Sequence, residues 1–176
     1  MAHTVNDAVS YYWDEVTDKD TNDALEKAAT LQNQVDDASS DCVISAGNEK
    51  SQLLKDWNEV AATYKSLSTQ VSKAFGSNIS QSGFPNLYTA FMTLAQMLND
   101  GAKYTSNDYS AIPKWVGDDF EKDTYLADYT ENSNTKGVLK SIYTSSSYRS
   151  IWKSWYEALV AVQASLSVKT DPRNAI

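Results

Sequence analysis

Few residues in this chain are able to do chemistry, and their spacing decides how far they go. His3 is the sole histidine among 176 residues, so a Ser-His-Asp triad, a histidine metalloprotease site and a His/Cys zinc site have no conventional assembly. No glycine-rich phosphate loop and no nucleophile elbow occur. Carboxylates alone can cleave glycosides when two of them flank the bond, and Asp118, Asp119, Glu121 and Asp123 form the one cluster beside an aromatic, Trp115. A solvated acidic loop accounts for them more simply. Asp18-Lys-Asp20-Thr-Asn22 puts oxygen ligands at the first, third and fifth places of a calcium loop, but Asp23 stands where that loop wants glycine and Ala29 where it wants a closing bidentate Glu. Helix capping by the same short side chains is the plainer account. Cys42 is the only cysteine, which excludes an intrachain disulfide, and beside Val35, Ala38 and Val43 it reads as a small core residue. The expectation is a protein with no catalytic residue, no metal and no cofactor.

What remains is the scaffold. Hydrophobic residues make up 41% of the chain and aromatics 11%, too much apolar material for a disordered protein. Only six glycines and three prolines punctuate it, too few for the many tight turns of a β-sandwich or barrel. The net charge of −8 repels phosphate backbones, so nucleic acid is not an expected partner. No stretch approaches the roughly 20 apolar residues that span a bilayer. The N-terminus lacks the basic start and apolar core of a cleaved signal peptide, and the expected location is either outside the cell by an uncleaved route or the cytoplasm.

Hydrophobic periodicity predicts an all-α, elongated helical bundle built on heptad-patterned hairpins, one domain over 1–176. A short helix over about 5–17 carries Val5, Val9, Tyr12 and Val16 on one face. A second, over about 21–45, follows Asp20 or Thr21 as cap and presents Ala24, Ala28, Leu31, Val35, Ala38 and Cys42 in alternating steps of four and three. A third, over about 49–76, carries the bulkier seam Leu53, Trp57, Val60, Tyr64, Leu67, Val71 and Ala74. Residues 21–76 read either as one helix with a stutter or as a hairpin turning at Ser45-Ala-Gly-Asn48, and the turn is preferred. A polar loop over Gly76 to Gly83 precedes a helix over about 85–99, opened by Phe84-Pro85 and closed by Asn99-Asp-Gly101. Residues 102–134 lose the pattern and form one long irregular segment. The last helix, over about 135–169, pauses at Ser145 to Ser147, then resumes with Trp152, Trp155, Leu159, Val162 and Leu166.

Trp115-Val116-Gly117 resembles the W-x-G turn of small secreted helical hairpins exported by type VII systems, and Tyr11 with Glu15, or Tyr104 with Asp108, resembles their Tyr-x-x-x-Asp/Glu export signal. In that family the motif joins two long helices in a chain of about a hundred residues. Here it follows Pro113 in the irregular segment and the tyrosine motifs precede it, so the chain is assigned to no family. The layout, without any residue motif, looks like the hydrophilic tip and filament proteins of type III systems.

The function expected from helices, seams and no reactive centre is assembly: a non-enzymatic structural or interaction protein of a secretion apparatus or similar extracellular assembly, whose partner is protein, either itself or heterologous helices. The alternative is a monomeric binding module. For either, the candidate contact residues are the aromatics that fall on no seam: Tyr104, Tyr109, Trp115, Phe120, Tyr125 and Tyr129.

Overall fold

The structure is a computed structural model that describes residues 23–106, 109–130 and 142–170. The expected helix at 5–17, the calcium-loop ligands Asp18, Asp20 and Asn22 and the cap Thr21 lie outside these residues, whereas Asp23 and Ala29 of the same motif are helical. Helices dominate: α1 over residues 23–38, α2 at Asn48–Phe75, α3 at Phe84–Leu98 and α4 at Ser145–Lys169. No helix among the described residues is long and apolar enough to cross a membrane.

Two expectations need correction. The second helix does not run to 45. It ends at residue 38, turns through 39–42, and gives way to strand β1, Val43–Ile44. This strand pairs antiparallel with β2, Thr124–Tyr125, in the register Val43↔Tyr125 and Ile44↔Thr124. Cys42 is therefore not a seam residue. It sits in the turn at φ 62°, because short backbone hydrogen bonds close the turn there, from Ser39 N to Val35 O and from Cys42 N to Ser39 O. Residues 135–141 of the expected last helix lie outside the described residues. Helix α4 begins at Ser145, after Thr144 in extended backbone, so the serine run is a first turn of helix rather than a pause. Thr144 caps it, its hydroxyl accepting from Ser147 N at 3.1 Å.

Between α1 and α2 the chain turns, as preferred. Gly47 takes the cap position at φ 91° and Asn48 is the first helical residue, a place where glycine avoids the strain of a positive φ. Gly76–Ser82 is not a featureless loop but two tight turns of 3-10 helix, and Gly83 in the left-handed conformation then opens α3, with Pro85 in its first turn.

One core joins these elements. Helix α2 buries Leu53, Trp57, Val60, Tyr64, Leu67 and Val71; α3 buries Leu87, Phe91, Leu94 and Leu98; α4 buries Trp152, Trp155, Val162 and Leu166. At its centre Tyr64 stacks on Phe91 with centroids 4.2 Å apart, and Trp57 stacks on the same ring at 5.6 Å. Offset and edge-on aromatic pairs of this kind add about 0.5 to 1.5 kcal/mol beyond the area they bury. Helix α1 is the exception: of its stripe only Val35 is buried, while Ala24, Ala28, Leu31 and Ala38 remain partly exposed.

A direct check of the α2 seam is to place a carboxylate on and off it. Leu67 is buried and Lys65 exposed. Leu67→Asp is expected to lower stability by several kcal/mol, the cost of an unpaired buried charge, whereas Lys65→Asp should stay within about 0.5 kcal/mol. Thermal melts of the two proteins decide it, and equal midpoints would remove α2 from the core.

Candidate functional site

The irregular segment is where the unexplained aromatics lie, and the structure sorts them into two groups. Tyr104 and Trp115 are core residues, at 4% and 0% exposure. Tyr104 packs edge-on against Trp57 and Phe91 and donates its hydroxyl to Ala111 O at 3.0 Å. Trp115 stacks on Tyr148 and meets Tyr143 edge-on. Tyr109, half-buried at φ 63°, leans edge-on against Tyr64 and Phe91. The second group, Phe120, Tyr125 and Tyr129, is only partly covered, and Tyr125 and Tyr129 form a tilted pair 4.6 Å apart on the β2 side. The six residues do not form one surface.

The group that organises this region is one the sequence patterns did not single out. Lys50 is fully buried, and its ammonium donates to Trp115 O at 2.9 Å and Thr124 Oγ1 at 2.6 Å, while lying 5.9 Å from the centroid of the Trp115 ring. A buried ammonium must recover its lost hydration through such bonds. Lys50 thereby fixes the 3-10 turn Lys114–Val116 and strand β2 to the first turn of α2. Its spacing carried a signal: it lies three residues before Leu53, in phase with the α2 seam, where a charge is out of place.

Polar groups on either side continue the tie. Asp123 Oδ1 accepts from Ala46 N at 2.7 Å, Leu126 N donates to Cys42 O at 2.8 Å, and Glu49 Oε2 accepts from Ser45 N at 2.9 Å. Burial pushes the Glu49 carboxyl above the ordinary range, against the Ser45 hydrogen bonds that pull it down. The acidic cluster near Trp115 is thus divided among separate tasks: Asp123 holds the α2 entry, Asp119 is buried with Lys122 Nζ at 3.9 Å, and Asp118 and Glu121 face solvent.

No known protein family, curated protein or solved structure matches this chain.

Two nucleophilic groups lie near this region. The Cys42 thiol is raised by its burial and by the neighbouring charges of Asp128 and Asp41, which outweigh a lowering hydrogen bond from Ser145. Negative neighbours disfavour the thiolate, the opposite of what a reactive cysteine needs. Ser145 donates its hydroxyl to Asp128 Oδ2 at 2.5 Å and its N–H to Oδ1 at 2.9 Å. Burial pulls Asp128 upward, but these two bonds prevail and hold its carboxyl below the ordinary value. The carboxylate sits at the N-terminus of α4, where the helix dipole favours negative charge, and Ser145 is consumed in holding it. No group of acidic, histidine or cysteine side chains suited to a metal occurs among the described residues. The arrangement fastens the long segment to α2 and α4, which is structural work.

Proposed function

We propose that this chain is a non-enzymatic helical interaction protein that acts by assembly, as a component of a secretion apparatus of the type III tip or filament kind or of a similar extracellular structure. The observation that carries the reading is α1. Its apolar stripe is only half covered, and Leu25 on the same helix is 51% exposed. A helix that has not buried its stripe retains apolar area to give to a protein partner. The net charge of −8 favours protein over nucleic acid.

A second reading has its own observation in its favour. Tyr125 and Tyr129 are partly exposed and lie side by side on the irregular segment, where Phe120 is also partly exposed, as the anchors of a monomeric binding module would be.

Size-exclusion chromatography with light scattering separates the two. An assembly protein is expected to rise in mass with concentration across the micromolar range. A constant monomer mass throughout would sink the assembly reading and leave the binding module.

A further inference from the structure

Helix α1 fits its seat poorly. The seat lies between α2 and α4 and is lined by Val60, Trp155, Tyr156 and Leu159, all bulky. Into it α1 lays Ala24, Ala28 and Leu31, none of them fully buried. A cleft of about 90 Å³ is left between them. Elsewhere on α1, the Gln32 side-chain oxygen is buried without a hydrogen-bond partner among the described residues, a standing penalty on the docked state. The polar ties are modest: Lys27 to Glu59, both exposed, and Gln32 Nε2 donating to Arg149 O at 3.3 Å.

The connection is short and strained. Residues 39–42 alone separate α1 from β1, which the ladder and the Leu126 to Cys42 bond hold to the body. Cys42, with φ at 62°, occupies the left-handed region that a residue with a β-carbon enters only at an energetic cost. A loosely docked helix on a short strained hinge is the condition under which identical chains exchange an element.

We infer that α1 is an exchangeable arm, seating on the α2 and α4 surface of a second copy of this chain. The seat meets the same side chains in either arrangement, so exchange keeps the α1 contacts, while opening residues 39–42 releases Cys42 from its strained conformation. This rests on the assembly reading and supplies one link between copies, while the open part of the α1 stripe stays uncovered as before.

Lys27 and Glu59 make the test possible, because a carbodiimide activates the carboxylate and joins it to a touching amine as an amide. Full-length unlabelled and nitrogen-15 protein are mixed in equal amounts, incubated at rising concentration and then cross-linked. Exchange is expected to convert the intrachain product into covalent dimers, with about half of the Lys27 to Glu59 peptides carrying one label from each chain. Cys42→Gly, which removes the hinge strain, should lower that mixed fraction severalfold; equal mixing would overturn the hinge as the driving element. Unmixed peptides at every concentration would overturn the exchange. If light scattering on the same samples still shows oligomers, assembly stands and uses another surface; if it shows monomers, both fall.

Discussion

Trp115→Ala is expected to lower the stability of the protein by about 3 to 5 kcal/mol, the usual cost of emptying a large aromatic from a core. The indole is fully buried, stacked on Tyr148 with planes 15° apart and 6.2 Å between centroids, and lies beside the Lys50 ammonium. Any loss of assembly by this variant should follow from unfolding rather than precede it. Trp115→Phe should be much milder. It keeps most of the ring volume and removes an indole N–H that is buried without an acceptor among the described residues, a group whose desolvation costs about 1 to 3 kcal/mol. Urea melts followed by circular dichroism, compared at equal denaturant slope, measure both. A Trp115→Ala protein that melts like the wild type would show that the segment does not depend on this residue for its place in the core.

Lys50 carries the second large effect. Replacing it with Met keeps an unbranched apolar stem of similar length but strands Trp115 O and Thr124 Oγ1, both of which accept from the ammonium. About 1 to 3 kcal/mol for each stranded acceptor, partly offset because no ammonium need then be desolvated, gives an expected loss of about 2 to 4 kcal/mol. Lys50→Ala adds a cavity and should lose about 2 kcal/mol more. The order matters more than either value. Chemical denaturation should rank wild type above Lys50→Met and Lys50→Ala last, and a Lys50→Ala protein as stable as wild type would mean that the segment is held without its central tie.

How much of this was legible depended on whether the deciding contact was local. The α2 seam was plain because bulky apolar residues three and four apart have one physical reading, a helix with one buried face. Leu53, Trp57, Val60, Tyr64, Leu67 and Val71 are buried, while Ala74 at the end of the seam is only partly so. Helix α3 was framed to within a residue by Phe84-Pro85 and Asn99-Asp-Gly101. Where a distant partner decides, the pattern misled. Cys42 continues the four and three alternation of α1, yet the ladder from Thr124–Tyr125 draws Val43–Ile44 into a strand. The serine run looked like an interruption because part of what holds it helical is distant: besides the local Thr144 cap, its first N–H is taken by Asp128, 17 residues earlier. The aromatics of the irregular segment fell on no seam because their partners, Lys50 and Trp57 among them, lie on another element, and periodicity within a segment cannot encode that.

The two-residue ladder has a consequence for the order in which the chain acquires its shape. Its strands are about eighty residues apart along the chain, and joining the ends of a loop that long costs about 4 kcal/mol in chain entropy. Two residue pairs, at about 0.2 to 1 kcal/mol each from their side chains and little more from their backbone bonds, cannot offset that from an open chain. The ladder becomes favourable only after α2, α3 and α4 have drawn the ends together, so it is a late clasp on an already collapsed helical body. The arm formed by α1 hangs from that clasp, and it is the last part of the described chain whose position is decided within its own molecule.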